Sequence, residues 1–588
     1  MPKKWILKDQ ISDNVIREFP DIPKALLQVL FNRNLKSREE IQFFLDPQYE
    51  NTIYDPFLLP DMEKGIECTL DAIKNKQKLT IYADYDADAV TAAAVMIRAL
   101  RALGAEVDYY IPDRFAEGYG VNAEAIKEIA KRGTKLIITV DCGVTAVDEV
   151  EVAKSLGVDV VITDHHHVPT SSAGSGLRGA GPEIIPQAVA VINQQRPDSI
   201  YPFKDLTGVG VAFKFVQGLL SRAGDLRKDI PQGFEKWLLD LVAIGTVADC
   251  QSLMGENRIL VKYGLKVLAQ TRWPGLKALL SVSGAAEKGF SSGTIGFQIA
   301  PRINAAGRLA HADIALKLLL TQDNLEAADL ATQLENLNRK RQQLTESIMS
   351  EAREQLEGES KDKVLLFAKS PAWPKGIVGL VAGKLSEEFY RPVLIGSEDN
   401  DFTTGSARSI PGFSIIEALE YAGEHALKFG GHDAAAGFTV ENSKVEAFYN
   451  TLLGFAEVKF AEANLVPSLN IDAELSDPSE FTVEFSDKIE SLSPFGQGNP
   501  RPHFLFKGLK IADMRAVGNE GKHVQFVLSH SNIPARLRGI AFSKGYLAKA
   551  LKIGDTIDMV GELLADEWNG NRRVQLKLID WRKNEQNS

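Results

Sequence analysis

Three aspartates lie within five positions of one short segment, residues 83–91. Asp84, Asp86 and Asp88 stand between an apolar run of strand length, Leu79–Ala83, and a stretch with helical spacing at 90–103. One aspartate at such a turn would serve as an ordinary helix cap. Carboxylates that converge there repel each other unless a cation lies between them. The triplet therefore indicates a metal site.

The same construction, an apolar run that ends in polar side chains, occurs three more times. The runs and their polar ends are 135–140 with Asp141, 160–163 with Asp164, His165 and His166, and the longer segment 241–247 with Asp249. Strands of a parallel sheet finish at one edge, so side chains at their carboxyl ends converge although they are far apart in sequence. A lone histidine is more often structural, but a histidine pair directly after an aspartate favours metal binding.

In this order, these residues resemble the motifs of the DHH phosphoesterase superfamily, which hydrolyses phosphoanhydrides and phosphodiesters with two divalent ions. Within it, most of the chain is similar to the RecJ family of single-strand-specific 5′→3′ DNA exonucleases, which act in DNA repair and recombination. Two positions depart from the usual pattern. Ala89 stands where the family commonly has glycine, and Tyr82 stands where some members have a histidine ligand.

The resemblance implies a two-metal nuclease. The residues expected to hold the ions and form the catalytic set are Asp86, Asp88, Asp141, His165, His166 and Asp249, with Asp164 as a further ligand or as support. Two ions stabilise the attacking and leaving oxygens of an in-line displacement. Oxygen and imidazole donors without a thiolate suit Mn²⁺ or Mg²⁺ better than zinc, and the resemblance favours Mn²⁺.

Further motifs are expected to bind the substrate. Arg302, Asn304 and Arg308 surround small residues and suit bidentate recognition of phosphate. The resemblance assigns them to the DNA backbone near the metals. A glycine-rich turn at 205–214 could present backbone N–H groups to phosphate, although close helix packing explains its glycines about as well.

A second substrate-binding set resembles the DHH-associated domain, whose Gly-Gly-His segment contacts the substrate phosphate. Its members are Arg408, Ser409, Gly430, Gly431 and His432. The alternative is a glycine-rich turn with a structural histidine. Pro374 stands where relatives usually have histidine, so no function is assigned to it.

After residue 463 the pattern changes to short alternating stretches that indicate an OB-type barrel. The five predicted strands are 507–511, 523–529, 535–542, 556–563 and 574–579. Arg536 and Arg538, two positions apart, would share one face of the barrel and are candidates for binding a single strand.

The predicted fold class is α/β, with two α/β lobes joined by a long helix and followed by the barrel. The predicted domains are 1–50, a helical segment; 51–320, the DHH catalytic domain; 321–358, the connecting helix; 359–460, the DHH-associated domain; and 461–588, the OB-type domain.

The composition is that of an ordinary soluble globular protein. The 588 residues are 44% hydrophobic and 25% charged, and the net charge of −11 argues against a protein that coats nucleic acid indiscriminately. No apolar run is long enough to span a bilayer, and no signal-like run follows Lys4. We expect a cytoplasmic monomer that binds single-stranded DNA, with single-strand-binding protein and a RecQ-type helicase as partners implied by the resemblance.

Two other functions compete with the exonuclease. One is a phosphoesterase that acts on pyrophosphate, short oligonucleotides or a cyclic dinucleotide, and the predicted barrel argues against it. The other is a non-catalytic nucleic-acid-binding scaffold. The presence of every expected type of ligand argues against the scaffold.

Overall fold

The computed structural model describes residues 3–169, 184–285, 289–358, 362–463, 465–568 and 571–584. The chain forms two compact units. One contains residues 1–52, 252–255 and 467–588, and the other contains residues 53–251 and 256–466.

The strands of the described residues, in chain order, are β1 (Lys4–Leu7), β2 (Leu79–Ala83), β3 (Val107–Tyr110), β4 (Leu136–Val140), β5 (Asp159–Thr163), β6 (Ala190–Ile192), β7 (Leu366–Ser370), β8 (Val393–Glu398), β9 (Phe402–Arg408), β10 (Ala426–His432), β11 (Ala435–Glu441), β12 (Ser468–Ile471), β13 (Ala473–Glu474), β14 (Phe504–Val517), β15 (His523–His530), β16 (Ile533–Ala541), β17 (Thr556–Trp568) and β18 (Asn571–Lys583).

The α-helices are α1 (Asp13–Glu18), α2 (Lys24–Asn32), α3 (Arg38–Leu45), α4 (Tyr49–Thr52), α5 (Met62–Lys74), α6 (Ala87–Ala102), α7 (Ala123–Lys131), α8 (Val147–Ser155), α9 (Gly208–Arg222), α10 (Leu239–Ala248), α11 (Gly255–Leu268), α12 (Pro274–Ser283), α13 (Ser292–Thr294), α14 (Ala300–Leu309), α15 (Asp313–Leu320), α16 (Asn324–Glu357), α17 (Lys375–Phe389), α18 (Ile415–Tyr421), α19 (Val445–Glu462), α20 (Val483–Glu490) and α21 (Leu547–Ala550).

A parallel sheet with the order β3-β2-β4-β5-β6 positions the aspartates. Strands β2 and β4 are buried along their whole length, as their continuous apolar sequences require. Their ends are paired in register, Ala83 with Val140 and Val140 with Thr163. The aspartate that follows each of these three residues therefore leaves the sheet next to its neighbours.

The apolar segment at 241–247 is not a strand of this sheet. It forms most of helix α10, which packs against both α6 and α9. The expectation that Asp249 follows a strand is therefore wrong, although Asp249 does follow an apolar run. A helix that is buried on all sides has no amphipathic pattern, so its sequence cannot be told from that of a buried strand by periodicity.

The second sheet has the order β10-β11-β9-β8-β7, with β7 and β8 parallel and the other pairs antiparallel. Helix α16 runs for 34 residues and packs against α12, α14, α15 and α17. It therefore contacts helices on both sides of it in the chain, and the prediction of two α/β lobes joined by a long helix is confirmed.

The C-terminal strands close into a barrel in the order β14-β15-β16-β18-β17, with β14 also paired to β17. The prediction of a five-stranded barrel is confirmed. The N-terminal helices share its hydrophobic core, since Leu27 and Leu30 of α2 belong to the same buried cluster as Phe504 and Phe526. The sequence pattern treated the two regions as separate. Among the described residues, every helix is too short or too polar to cross a membrane.

Candidate metal centre

The turn after β2 is held by backbone N–H groups. Asp86 caps α6, with Oδ1 accepting from the N–H of Ala89 at 3.0 Å. Asp88 is 1% exposed, and its two oxygens accept from the N–H groups of Gly208 and Val209 at 2.7 and 3.0 Å. The glycine-rich turn that begins α9 thus binds a carboxylate of the protein, where the sequence had suggested a phosphate.

Glycine is required where two helices approach these carboxylates. A Cβ at Gly208 would lie 2.4 Å from Oδ1 of Asp141, and a Cβ at Gly245 would lie 2.7 Å from Oδ1 of Asp88. Both distances are too short for any side chain. Close packing around the carboxylates therefore accounts for these glycines.

His165 lies between two aspartates. Its Nε2 is 3.1 Å from Oδ1 of Asp141 and 3.9 Å from Oδ2 of Asp249. Burial, followed by the neighbouring His166, lowers the pKa of His165 to about 4. The imidazole is therefore neutral at pH 7, the state in which it can act as a metal ligand.

Asp164 holds the second histidine. Its Oδ1 accepts from the N–H groups of His165 and His166 at 2.7 and 3.1 Å and lies 2.7 Å from Nδ1 of His166, while Oδ2 accepts from the N–H of Val144 at 2.9 Å. Burial acts to raise the pKa of Asp164, but the hydrogen bonds to His166 and to the N–H of Val144, together with the charges of His166 and His165, lower it overall. These contacts favour support of His166 over direct ligation.

The environment of His166 combines a carboxylate and a phenol. Burial acts to lower its pKa, but the hydrogen bond to Asp164 and the negative charges of Asp164, Asp249 and Asp86 together raise it to about 9. Nε2 of His166 lies 3.2 Å from the hydroxyl of Tyr119. Because Asp164 holds Nδ1, Nε2 is the ring atom that would bind a cation, in place of its contact with Tyr119, and the cation would displace its proton.

The donor atoms converge in two groups. In each group the ligand atoms lie within 4.8 Å of one another, and the groups are Asp141, His165 and His166, and Asp88, His165 and Asp249. Asp86 and Asp164, also predicted as ligands, are outside both groups. Asp86 still acts on the site through its charge, which raises the pKa of both Asp84 and Asp249.

The electrostatics of the site fit a divalent cation. Oδ1 of Asp84, Oδ1 of Asp141 and Oδ2 of Asp249 are buried and make no hydrogen bond of suitable geometry to any residue that the structure describes. Burial and neighbouring carboxylates raise the pKa of Asp84 and of Asp249 to about 7, and they raise the pKa of Asp88 and Asp141 well above the usual range. A bound cation removes this repulsion, and oxygen and imidazole donors suit Mn²⁺ or Mg²⁺.

Asp84 is a candidate functional residue that the sequence did not assign. It is 3% exposed, and one of its oxygens has no partner. Its position directly after β2 matches that of Asp141 after β4 and Asp164 after β5. This shared position at the end of a strand is the sequence feature from which Asp84 could be predicted as a ligand.

An arginine cluster adjoins the metal centre. Burial, then the charges of Arg114, Arg341 and Arg408, lowers the pKa of Arg308 to about 10, and the charge of Asp86 opposes this shift. Arg308 donates to the carbonyl of Gly376 at 3.2 Å. Within the described part of the chain, none of the hydrogen bonds or ion pairs of these four arginines goes to a carboxylate.

Two of the predicted substrate-binding residues have partners within the protein. Nε of Arg302 donates to Oε2 of Glu335 at 2.7 Å, and Oδ1 of Asn304 accepts from the N–H of Ala87 at 2.9 Å. Asn304 thereby attaches α14 to the turn that carries Asp86 and Asp88. Contact of Arg302 and Asn304 with DNA stays a prediction.

Of the residues predicted on the second sheet, Arg408 and Ser409 are half-buried and the other three are exposed. Arg408 donates to Oγ of Ser406 at 2.6 Å, and Ser409 donates to the carbonyl of Phe413 at 2.7 Å. Gly430, Gly431 and His432 form the exposed end of strand β10. Gly431 has φ +152°, and a Cβ there would lie 2.3 Å from the carbonyl oxygen of Ala435.

The two predicted barrel arginines share one face. Arg536 and Arg538 are exposed on either side of the buried Leu537. Arg538 also lines a cavity of about 460 Å³ together with Arg515 and Gln525. Their contact with a single strand stays a prediction.

Comparison with known proteins agrees with this architecture. Residues 78–246 match the DHH family, N-terminal domain, residues 361–457 match the DHHA1 domain, and residues 471–580 match the RecJ OB domain. The single-stranded-DNA-specific exonuclease RecJ of Bacillus subtilis is 38% identical over 581 residues, which are 98% of this chain and 70% of that protein. The chain belongs to the RecJ family.

Two further RecJ proteins are similar to this chain over most of their length. RecJ of Escherichia coli is 33% identical over 579 residues, 95% of this chain and 96% of that protein. The crystal structure of Thermus thermophilus RecJ in complex with Mn²⁺ has a TM-score of 0.82 at 29% identity and covers 99% of this chain and 80% of that chain. The same RecJ was also crystallised with Mg²⁺, with a TM-score of 0.77.

Proposed function

We propose that this RecJ-family protein is an exonuclease specific for single-stranded DNA that hydrolyses phosphodiester bonds with two divalent ions. The observation that carries the proposal is the cluster of carboxylates and imidazoles, three of whose buried oxygens lack a partner among the described residues, beside arginines whose described hydrogen bonds go to groups other than carboxylates. The names of the relatives, which act on single-stranded DNA, support the choice of substrate.

The residues that would hold the ions, Mn²⁺ by preference or Mg²⁺, are Asp86, Asp88, Asp141, His165, His166 and Asp249, with Asp164 in support. Asp84 joins them as a further candidate because its buried oxygen has no partner. When bound, two divalent ions activate water and stabilise the charge on the attacking and leaving oxygens.

The protein fixes the orientation of these side chains in advance. The N-terminus of α9 binds both oxygens of Asp88, and Asp164 restrains the ring of His166 through Nδ1. Asn193 donates to the carbonyl of His166 at 2.8 Å and restrains its backbone. Contacts of this kind keep ligands in position and contribute to metal affinity.

The arginine cluster would hold the substrate. Guanidinium groups bind phosphate through paired hydrogen bonds, and a phosphate would give Arg308 and Arg408 the anion that they lack among their described contacts. Arg114 is stacked on the ring of Tyr85, 4.8 Å from its centroid, one residue from Asp86. This stacking puts a cation beside the turn that carries the metal ligands.

The finer features of the sequence-based prediction belong to the same proposal. They are the 5′→3′ direction, a role in DNA repair and recombination, a monomeric state, single-strand-binding protein and a RecQ-type helicase as partners, and a cytoplasmic location where DNA is available. The predicted domain boundaries at residues 50, 320, 358 and 460 belong to it as well.

Digestion of single- and double-stranded DNA labelled at either end tests the proposal. With Mn²⁺ or Mg²⁺, we expect single strands labelled at the 5′ end to release labelled mononucleotide at once, and 3′ labels to persist in shortening strands. Double strands and reactions in EDTA should remain intact. Cleavage in EDTA would contradict the metal mechanism, and activity restricted to dinucleotides would favour the phosphoesterase.

A further inference from the structure

Two amide side chains follow β6, the edge strand of the sheet that carries the aspartates. Asn193 and Gln194 are both fully buried. Strand β6 runs beside β5 as far as Ile192, whose carbonyl accepts from the N–H of Asp164 at 3.1 Å. The two amides therefore come directly after the residue that is bonded to the beginning of the Asp-His-His segment.

The amide of Asn193 is fixed by two contacts. Its Oδ1 accepts from the N–H of Gln195 at 2.7 Å, and its Nδ2 donates to the carbonyl of His166 at 2.8 Å. Because the oxygen already binds a donor, the amino group is the atom that faces the carbonyl. Asn193 thus holds the backbone from which the ring of His166 extends.

Gln194 contacts a different part of the same compact unit. Its Nε2 donates to the carbonyl of Leu206 at 2.9 Å and to the carbonyl of Lys204 at 3.2 Å. In return, Nζ of Lys204 donates to the carbonyl of Gln194 at 2.7 Å. These bonds close the loop between residues 194 and 206 and hold its end, directly before helix α9.

The segment that Gln194 holds leads into the first turn of α9. Thr207 is the N-cap of this helix, with Oγ1 accepting from the N–H of Gly210 at 3.1 Å. The next two N–H groups after Thr207 bind the oxygens of Asp88 at 2.7 and 3.0 Å. A single residue therefore separates the carbonyl that Gln194 holds from the N–H groups that hold Asp88.

The contacts of Gln194 come with an unfavourable burial. Its Oε1 is buried and makes no hydrogen bond of suitable geometry to any residue that the structure describes. Burying such an acceptor costs free energy, which an apolar side chain of the same length would avoid. Packing alone therefore does not account for a glutamine at this position, whereas the two bonds of Nε2 do.

The two amides contact different groups of the candidate metal ligands. Both groups include His165, which is joined by Asp141 and His166 in one group and by Asp88 and Asp249 in the other. Asn193 contacts the first group at the backbone of His166. Gln194 acts on the second group through the turn that binds Asp88.

We propose that Asn193 and Gln194 are positioning residues for the two metal ions, each for a different ion. Asn193 holds His166 in place, and Gln194 holds the N-terminal turn of α9 against Asp88. Neither side chain is itself a ligand. The inference rests on the proposed function, because it requires that the two groups of donor atoms bind metal.

Substitution of the buried glutamine in the full-length protein tests the proposal. Gln194→Met keeps the length of the side chain but removes the donor, and we expect the dissociation constant of one of the two Mn²⁺ ions, measured by calorimetry, to rise about 10-fold or more. The affinity of the other ion should be unchanged. The melting temperature of the metal-free variant should not fall, because the unpaired acceptor is removed as well.

The neighbouring glutamine provides the matched control. Gln195 also donates to the carbonyl of Lys204, at 2.8 Å. Gln195→Met removes that bond and leaves the bond between Gln194 and Leu206 in place. We expect Gln195→Met to bind both Mn²⁺ ions with wild-type affinity.

The corresponding change at Asn193 tests the assignment to separate ions. Asn193→Leu removes the contact to His166 and should weaken the ion that Gln194→Met leaves unchanged, also by about 10-fold or more. In the double variant both ions should be weakened. A double variant in which one ion keeps its wild-type affinity would contradict this assignment.

A further pair of variants leaves both amides intact and serves if the amide substitutions prevent folding. Thr207→Val removes the cap of α9 but keeps the shape of the side chain, and it should weaken the same ion as Gln194→Met. Thr207→Ser retains the hydroxyl and should retain the wild-type affinity. This rescue by the conservative variant separates a loss of the hydrogen bond from a general loss of packing.

The outcomes distinguish the two proposals. If the wild-type protein neither binds Mn²⁺ nor cleaves DNA, the proposed function fails. If the wild type binds Mn²⁺ and folded Gln194→Met binds it equally well, the positioning role is overturned. The same holds if Gln195→Met loses as much affinity as Gln194→Met, or if Thr207→Val binds as wild type where Gln194→Met does not fold.

Discussion

The metal centre and the exposed end of β10, both predicted from short motifs, differ in how completely the protein assembles them. In the metal centre, Asp88 and His165 are buried and their orientations are fixed. At the end of β10, Gly430, Gly431 and His432 are exposed, and the described contact of the His432 ring is with the N–H of Ala434. Repulsion between buried carboxylates favours the binding of a cation even before substrate is present. The exposed groups at the end of β10 have no such preference until substrate binds.

The arginine cluster is intermediate between these two regions. Arg308 and Arg408 are half-buried, and burial lowers the pKa of both. Neighbouring guanidinium groups favour binding of an anion, just as the neighbouring carboxylates of the metal centre favour binding of a cation. We therefore expect substitutions to matter most at the metal centre, less in the arginine cluster, and least at the exposed groups.

The largest effect is expected at Asp88. Asp88→Ala removes a ligand and should lower the rate of cleavage by about 1,000-fold or more, because a divalent ion contributes several kcal/mol to stabilising the transition state. Binding of single strands should be retained, since phosphate contacts supply most of it. Single-turnover cleavage and a binding titration measure the two effects. Asp159→Asn, at the exposed start of β5, is the control and should behave as wild type.

A smaller loss is expected in the arginine cluster. Arg408→Ala should lower kcat/KM by about 10- to 100-fold, because hydrogen bonds to a charged group contribute roughly 1.5–3 kcal/mol. Affinity for Mn²⁺ should be unchanged. Arg353→Ala removes an exposed arginine paired with Glu388 and is the control. Loss of Mn²⁺ binding in Arg408→Ala would mean that Arg408 belongs to the metal centre. Cleavage at the wild-type rate would mean that Arg408 does not bind the substrate.

At the exposed end of β10 the expected change is about 5-fold. His432→Ala removes one hydrogen bond to substrate phosphate, which corresponds to about 1 kcal/mol, and should raise KM more than it lowers kcat. Steady-state kinetics on a short single strand measures both constants. A loss comparable to that of Asp88→Ala would mean that this exposed histidine belongs to the catalytic machinery.

The smallest effect on chemistry is expected in the barrel. Arg536→Ala combined with Arg538→Ala should reduce the slope of log affinity against log salt by about 1.4, since each phosphate contact to a single strand contributes about 0.7. Cleavage of very short substrates should be unaffected. Lys507→Ala, which removes a cation paired with Glu474, is the control. Point substitutions are preferable to truncation because residues 1–52 share the barrel core. An unchanged slope would exclude these two arginines as contacts.

Features carried by a local pattern were predictable from the sequence. The barrel strands follow from alternation bounded by turns, and the strand ends at Asp141 and Asp164 follow from short apolar runs. The family motifs then identified the metal centre. These predictions agree with the structure because the residues of each strand are enough to determine it.

Features that depend on distant packing were not predictable. Residues 239–246 of helix α10 are all buried because several elements, α6 and α9 among them, pack against it, and the sequence of one segment does not contain that information. The partners of Arg302 and Asn304, Glu335 and the N–H of Ala87, lie far from them in the chain. The shared core of the N-terminal helices and the barrel likewise depends on the three-dimensional arrangement.

The most direct test of the account is the binding of Mn²⁺ to the metal-free protein, followed by calorimetry and compared with cleavage of single-stranded DNA in the same samples. We predict two Mn²⁺ ions per wild-type chain, cleavage that appears only as they bind, and loss of at least one ion together with cleavage in Asp88→Ala. Cleavage of single strands by metal-free protein in excess EDTA, or unchanged Mn²⁺ binding in Asp88→Ala, would contradict the assignment of this cluster as the catalytic metal centre.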